Sequence, residues 1–324
     1  MDYYGLSPRF KLNRSLNQAE REYQLKQHEA IDLNGQSLVP DIKVISINSG
    51  YLEMVDKYYS AKGVLSLIGA FSFFMSLGGL IFLIITIPGI GWRFTGTERN
   101  LLVVILLFTP VIIFSFIILK TEWFAWTHYP IRFDRRNRLV HIIRLNGSAY
   151  SVPWEKVFFT SGLSHRKDGN KDYYISGHVL AEDNDTVTET FCLPATHSDR
   201  KQLERHWEFV RRYMEEGPES VAGVVDFCLP IAKKREGYRF GLLCLLSGFN
   251  GAPLFLFPLL FPLGLIFSIP RYIAMITSRV PVWPESIESL CPVDKNDPYF
   301  IDATSNSPTP WRDLFRKPVK RNEH

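Results

Sequence analysis

Two long uncharged runs, separated by a short polar stretch, dominate the hydrophobic pattern of this chain. Residues 63–91 and residues 101–119 contain no Asp, Glu, Lys or Arg. A helix needs about 20 apolar residues to cross the core of a bilayer, and a helix satisfies its own backbone hydrogen bonds there. The pattern therefore predicts a transmembrane hairpin over residues 62–120, with residues 93–100 as its loop.

A third uncharged run covers residues 240–270 and is interrupted by Gly, Asn and Pro. At about 1.5 Å per residue it is too short for two full spans and long for one. Two arrangements stay open for the predicted third membrane segment, residues 240–276. A re-entrant hairpin that turns at residues 248–253, or a pair of tilted segments, is favoured because both flanks are basic. A single kinked span would instead place the C-terminal tail outside.

Between these runs the hydrophobic period changes to two, which is typical of half-buried β-strands. Six such segments predict antiparallel strands: PIRFD, RLVHIIR, SAYSVPW, KVFFTSG, KDYYISGHVLAED and TVTETFCLP. A closing helix is predicted over residues 199–216, with Leu203, Trp207, Val210 and Met214 on one stripe. Residues 121–220 are therefore predicted to form a half-open β-domain like a pleckstrin-homology (PH) domain, and the fold class is an α+β membrane protein.

The remaining segments are shorter and more polar. Residues 1–43 are predicted to be a polar arm with one charged helix, and residues 221–239 a basic linker. Residues 44–61 predict an amphipathic helix, either at the membrane surface or packed on the soluble domain. Residues 277–324, rich in Pro, Asn, Asp and Ser, predict an extended and poorly ordered tail.

Basic residues indicate the orientation of the hairpin. Lys57 and Lys62 precede its first span, and Lys120 with several arginines follows its second, against Arg93 and Arg99 in the loop. Because positive charge favours the cytosolic side, the N-terminus and the β-domain should be cytosolic. The net charge of +4 gives no case for nucleic acid. One cluster could contact anionic lipid or a partner, or could only fix the topology: Arg132, Arg135, Arg136, Arg138 and Arg144.

The sequence contains no HExxH, GxSxG or Walker pattern. Four cysteines lie far apart without CxxC spacing, which argues against a zinc site and a disulfide framework. His141 is expected to be a hydrogen-bonded structural residue rather than a ligand, and Asp134 to belong to a charged turn. We therefore expect no enzyme, no catalytic residue, no cofactor and no metal.

The predicted spans are poor candidates for a conduit because they contain no charged residue. Small residues offer faces for close helix–helix contact instead, and they leave a homo-oligomer open. The residues predicted to pack the membrane helices are Gly69, Ser76, Gly78 and Gly79.

Several phrases resemble an uncharacterised family of bacterial inner-membrane proteins that is commonly encoded beside type VI secretion effectors. They are YLEMVDKYYSAKG, PIRFDRRNRLVHIIRLNG, SVPWEKV, FVRRYMEEGPESV and SRVPVWPESIESLCPVDKNDPYFID. The resemblance covers most of residues 44–302. It implies a multi-pass protein of the bacterial cytoplasmic (inner) membrane with an immunity role, but it implies no catalytic residues.

We therefore expect an immunity protein that binds and neutralises a cognate effector toxin. A membrane-targeting or pore-forming toxin is one candidate class. The expected partners are that toxin and the lipid bilayer. One alternative is a membrane-anchored scaffold or regulator whose β-domain binds anionic lipid or a cytosolic partner. Another is a secretion accessory protein.

Overall fold

A computed structural model describes residues 10–90, 97–165, 171–247 and 254–309. The chain forms two compact units, each assembled from stretches that are distant in sequence. The first unit, the β-unit, takes residues 1–60, 126–235 and 280–324, and the second, the helical unit, takes residues 61–125 and 236–279. Both insertions of helical sequence therefore interrupt the chain of the β-unit.

The β-unit contains ten strands and three α-helices in the described residues. The strands are β1 (Arg14–Ser15), β2 (Gln24–Leu25), β3 (Val44–Ile47), β4 (Tyr51–Met54), β5 (Ile131–Asp134), β6 (Leu139–Ile143), β7 (Ala149–Pro153), β8 (Val157–His165), β9 (Lys171–Leu180) and β10 (Thr186–His197). The helices are α1 (Gln18–Glu22), α4 (Arg200–Glu215) and α7 (Glu285–Glu288).

The strands form two five-stranded antiparallel sheets. One sheet has the order β1-β10-β9-β8-β2 and the other has the order β3-β4-β5-β6-β7. The six strands predicted from the period-two pattern are all present, as β5 to β10. The α+β class with antiparallel sheets is thus confirmed.

Helix α4 packs its apolar stripe into the core of the β-unit. All four predicted stripe residues are buried, and Trp207 stacks on Trp154 with ring centroids 5.9 Å apart. The helix starts at Asp199, whose side chain accepts a hydrogen bond from the backbone N–H of Lys201. It ends before Gly217, where φ is +108°, a conformation that glycine adopts without strain. The predicted helix over residues 199–216 is confirmed.

Two predictions near the N-terminus were wrong. Residues 44–54 form the hairpin of β3 and β4 instead of an amphipathic helix. In the turn between these strands, the Asn48 side-chain oxygen accepts hydrogen bonds from the backbone N–H groups of Gly50 and Tyr51. Pairing of β4 with β5 overrides the helical spacing of the apolar residues. Only residues 18–22 of the predicted charged helix are helical, and β1 and β2 pair with β10 and β8.

The tail was predicted to be extended and poorly ordered, but its described part packs on the β-unit. Trp283 and Ile287 form a small apolar cluster with Ile143. Farther along, Ile301 exchanges both backbone hydrogen bonds with Ile47. The tail is therefore packed on the β-unit as far as Ile301.

The helical unit contains four α-helices in the described residues. They are α2 (Val64–Ile90), α3 (Thr97–Glu122), α5 (Tyr238–Ser247) and α6 (Phe257–Thr277). Three of them, α2, α3 and α6, are long and apolar enough to cross a membrane. The turn predicted at residues 248–253 lies outside the described residues, as do residues 93–96 of the predicted loop, whereas residues 97–100 already belong to α3.

Helices α2 and α3 approach each other closely at two glycines, where a larger side chain would not fit. A Cβ added at Gly69 would lie 2.9 Å from Leu119 Cγ, and one at Gly79 would lie 3.0 Å from the Phe108 ring. Ser115 also donates a hydrogen bond to Ser72 across the pair, at 2.8 Å. Gly78 has nothing within 4 Å of its added Cβ, so this predicted packing residue makes no such contact. Ser76 is half-buried.

These glycines give a test of helix packing with a matched control. Gly69→Leu should destabilise the helical unit by about 1–3 kcal/mol, because the new side chain overlaps Leu119. Gly78→Leu places the same side chain in open space and should have little effect. Thermal unfolding of the two detergent-solubilised variants measures the difference, and an equal loss in both would contradict the close approach at Gly69.

Candidate functional site

One face of the β3-β4-β5-β6-β7 sheet carries a polar layer beneath the C-terminal tail. Residues alternate between the two faces of a strand, so Phe133 and Val140 enter the core while Arg132, Asp134 and His141 share the opposite face. That face is usually left to solvent, yet all three polar residues are buried.

The layer brings together Asp134, His141 and Cys291, which we call the Asp–His–Cys cluster. The Cys291 thiol lies 3.5 Å from Asp134 Oδ2 and 3.9 Å from His141 Nε2. His141 Nε2 lies 3.5 Å from the same Asp134 oxygen. All three ligand-type atoms lie within 4.8 Å of one another.

Neighbouring groups hold the cluster in place. His141 Nδ1 lies 2.7 Å from the Ser151 hydroxyl on β7, directly across the strand pair. The Asn137 side-chain amide donates to Asp134 Oδ2 at 2.7 Å, and the Asn137 backbone N–H donates to Asp134 Oδ1 at 3.1 Å. The side chains of Asp134 and His141 are therefore both held by hydrogen-bond partners outside the cluster.

The electrostatics of the cluster favour a protonated thiol beside a charged carboxylate. Burial would raise the pKa of Asp134, but hydrogen bonds from His141, Asn137 and Cys291 outweigh it and bring that pKa below its usual value. Burial and the charge of Asp134 raise the pKa of the Cys291 thiol to about 12. A thiol with such a pKa is not an activated nucleophile at neutral pH.

Arg132 lies in the same layer and links the sheet to the tail. It forms ion pairs with Glu53 at 2.7 Å and with Glu288 at 3.2 Å, and its guanidinium lies over the rings of Tyr51 and Trp283. Only 3% of Arg132 is exposed. Its guanidinium is therefore not part of an exposed surface for lipid headgroups, which was one of the contacts predicted for the five arginines.

Three other arginines of that predicted set are also engaged in ion pairs within the β-unit. Arg136 pairs with Asp294 on the tail. Arg138 pairs with both Glu155 and Glu215, and Arg144 pairs with Glu189. Arg135 is half-buried. The structure does not bring the five arginines together as one exposed cationic surface.

Arg144 instead belongs to the wall of a cavity of about 320 Å³ in the β-unit. The lining is mostly apolar and aromatic, with Tyr58, Tyr129, Ile142 and Phe191 among its residues. The Arg144 guanidinium lies 4.2 Å from the centroid of the Tyr150 ring, which also lines the cavity. Such a concave apolar surface with few polar groups is typical of a binding site.

The helical unit contains a buried ion pair that was not predicted from the sequence. Arg271 lies inside α6 and contacts Glu236 through two hydrogen bonds of 2.7 and 2.8 Å, with both side chains 2% exposed. The apolar run was taken to end at residue 270, but α6 continues through Arg271 to Thr277. Charged residues in an apolar helix of this kind need a partner, and Glu236, just before α5, provides it.

A second buried carboxylate joins the N-terminal end of α2 to the C-terminal end of α3. Glu122 accepts hydrogen bonds from the backbone N–H groups of Gly63 and Ser66, and from the Ser66 hydroxyl. These N–H groups lack partners within their own helix, and a carboxylate at a helix N-terminus satisfies them. Ser278 donates to the Glu122 backbone oxygen, and Lys62 donates to Ser278. The helix ends of this unit are therefore joined by polar contacts.

The family of the chain follows from the comparisons with known proteins. The chain belongs to DUF6708, a family of unknown function whose model matches residues 108–295. The matched stretch includes Asp134, His141 and Cys291. Searches of curated proteins and of solved structures returned no match.

The buried ion pair of the helical unit gives a direct prediction. Arg271→Ala should destabilise the protein by about 3–5 kcal/mol, because it removes the partner of a buried carboxylate. Arg239→Ala changes an exposed arginine of α5 and should stay within about 0.5 kcal/mol of wild type. Thermal unfolding in detergent measures both. If Arg271→Ala unfolds at the wild-type temperature, the pair does not stabilise this unit.

Proposed function

We propose that this chain is an immunity protein of the bacterial cytoplasmic (inner) membrane that binds and neutralises a cognate type VI secreted effector. In this proposal the helical unit is embedded in the bilayer, and the β-unit is a PH-like domain on the cytosolic side. The effector assignment is supported by the sequence resemblance over residues 44–302. The membrane placement is supported by the observations below.

The helical unit carries a surface suited to lipid. Large apolar side chains of α2, α3 and the segment before α6 are exposed, among them Phe71, Ile85, Leu107 and Phe255. Exposed apolar residues at this density would be costly in water and are expected in a bilayer.

Strand pairing supports a hairpin for α2 and α3. Strands β4 and β5 lie on either side of this helical pair in sequence, yet Met54 pairs with Ile131 and Tyr51 with Asp134. The chain must therefore leave and re-enter the β-unit on one side of the membrane. The chain meets this requirement if it crosses the membrane an even number of times between β4 and β5. The basic residues at the ends of the hairpin favour the cytosol as the side that holds both strands.

The same reasoning favours the re-entrant hairpin for the third segment. Cys228 precedes α5 and Asn306 follows α6, and they exchange hydrogen bonds of 2.8 and 2.6 Å. A single span would place these residues on opposite sides of the bilayer. Helix α5 has 10 residues, enough at about 1.5 Å each for half of the hydrocarbon core.

The cavity beside Arg144 is the proposed contact surface for the effector. It combines half-buried aromatic groups, among them Tyr58, Tyr129 and Tyr150, with the Arg144–Glu189 pair, whose side chains are 35% and 30% exposed. Aromatic residues and arginine are the side chains that most often dominate the energetics of protein interfaces. A β-unit held at the membrane would meet an effector that acts on the inner membrane from the cytosolic side.

The alternative in which the β-unit reads anionic lipid has less support. Four of the five arginines that would bind headgroups are already neutralised by carboxylates, and Arg132 is buried. A scaffold or a secretion accessory protein would share the same architecture. It would differ from an immunity protein in binding a partner other than an effector toxin.

Co-expression tests the proposed function. The effector encoded by the adjacent gene should arrest growth when produced alone, and this protein should restore growth when produced with it. The two proteins should also co-purify from detergent extracts if neutralisation occurs by direct binding. Equally severe arrest with and without this protein would reject the immunity role.

The contact surface has a matched control. Arg144→Ala should reduce protection and co-purification at least tenfold, because it removes a charged side chain from the cavity wall. Arg200→Ala should leave both unchanged, since Arg200 has a similar exposure of 38%, a similar ion pair with Glu204 and a similar tyrosine contact, but lies outside the cavity lining. Full protection by Arg144→Ala would exclude this surface.

A further inference from the structure

The Asp–His–Cys cluster has the geometry of one face of a metal-coordination tetrahedron. Zinc bonds of about 2.3 Å to sulfur and about 2.0–2.2 Å to nitrogen or oxygen imply ligand–ligand separations of about 3.4–3.6 Å at tetrahedral angles. The observed separations are 3.5 Å from Cys291 to Asp134, 3.5 Å from His141 to Asp134 and 3.9 Å from Cys291 to His141. The ligand atoms therefore need to move by only a few tenths of an ångström to bind one ion.

The groups around the cluster orient these atoms as they do in metal sites. Without a metal ion, His141 Nε2–H hydrogen-bonds to Asp134. When an ion replaces that proton, Nδ1–H can donate to Ser151 and the Nε2 lone pair then faces the ion between Asp134 and Cys291. Most metal-bound histidines have their ring fixed in this way: the nitrogen that does not bind the metal donates a hydrogen bond to a neighbouring group. The Asn137 amide holds the Asp134 carboxylate in the same way.

The charge balance also permits a divalent ion at this place. A divalent ion with one thiolate, one carboxylate and one neutral imidazole has no net charge. The guanidinium of Arg132 is compensated by Glu53 and Glu288, so it does not present an unbalanced positive charge to the ion.

We propose that Asp134, His141 and Cys291 form a binding site for a divalent transition-metal ion, with zinc as the ion that best suits this mixed ligand set. Thiolate, imidazole and carboxylate are together the three protein ligand types that zinc uses. Three protein ligands leave the fourth tetrahedral position to a ligand from outside the cluster. This proposal replaces the expectation, drawn from the cysteine spacing, that the chain binds no metal.

The site would join two distant parts of the β-unit. Asp134 and His141 come from adjacent strands, whereas Cys291 comes from the tail, which is reached only after the whole third membrane segment. A metal ion would thus attach the tail to the sheet more firmly than the hydrogen bonds alone. This inference concerns the β-unit itself and does not depend on the identity of the effector.

Metal content of the full-length protein tests the proposal. The chain is purified in detergent with an affinity tag that contains no histidine, stripped with a chelator and then titrated with Zn²⁺. Wild type should retain one zinc ion per chain after removal of free metal. With Co²⁺ in place of zinc, the protein should show a thiolate-to-cobalt charge-transfer band in the near ultraviolet.

Two variants assign the binding to this cluster. Cys291→Ser should lose the charge-transfer band and bind zinc at least tenfold more weakly. Cys228→Ser should retain both properties, because Cys228 is equally buried and also lies in the β-unit, but contacts the backbone oxygen of Ile301 instead of the cluster. Ser151→Ala keeps all three ligands and should weaken zinc binding about 10- to 100-fold through the loss of the hydrogen bond to His141.

Three results would overturn the proposal. They are the absence of bound zinc in titrated wild type, a cobalt complex without the charge-transfer band, and equal zinc binding by Cys291→Ser and wild type. Any of them would leave the cluster as a hydrogen-bonded contact between the sheet and the tail. The cobalt spectrum is recorded on wild type, so it decides the matter even if Cys291→Ser fails to fold.

Discussion

The pairing of β4 with β5 is the interaction on which the rest of this architecture depends. Met54 and Ile131 face each other across a ladder although the entire α2–α3 pair lies between them in the chain. Closing such a long loop costs conformational entropy that grows only slowly with its length. Burial of Leu52, Met54 and Phe133 in the core on one side of the ladder offsets that cost. Once it forms, β3, β6 and β7 join this sheet by local hairpins, and β8, β9 and β10 pair with one another in the same way. Strands β1 and β2 instead pair with the distant strands β10 and β8.

The tail completes the sheet that this pairing creates. On the face away from the core, β4, β5 and β6 present Glu53, Arg132, Asp134 and His141, which would ordinarily face solvent. The tail covers them with Trp283 and Cys291, so each polar group needs a partner within the protein. The ion pairs of Arg132 and the Asp–His–Cys cluster are the result. A metal ion in the cluster would satisfy the same requirement with stronger bonds.

The predictions from sequence succeeded where the signal was local. The strands β5 to β10, the stripe of α4 and the apolar helices each follow from a period or a run length within one segment. The β3–β4 hairpin was missed because Tyr51, Leu52 and Val55 also fit a helical spacing, and only pairing with β5 decides between the two. The Asp–His–Cys cluster could not be found from ligand spacing, because its members come from β5, β6 and a tail more than a hundred residues away. The Arg271–Glu236 pair could have been suspected from a lone arginine in an otherwise apolar helical pattern.

The claim that both helical insertions leave and re-enter on one side of the membrane is tested most directly by topology mapping in cells. Single cysteines at Thr95, between α2 and α3, and at His324, at the C-terminus, would be introduced into a chain whose four native cysteines are replaced by serine. The account predicts that a membrane-impermeant thiol reagent labels position 95 in intact spheroplasts and labels position 324 only after the membrane is opened. Labelling of position 324 in intact spheroplasts would contradict it, because the tail that carries Ile301 and Asn306 would then lie on the opposite side from the strands it pairs with.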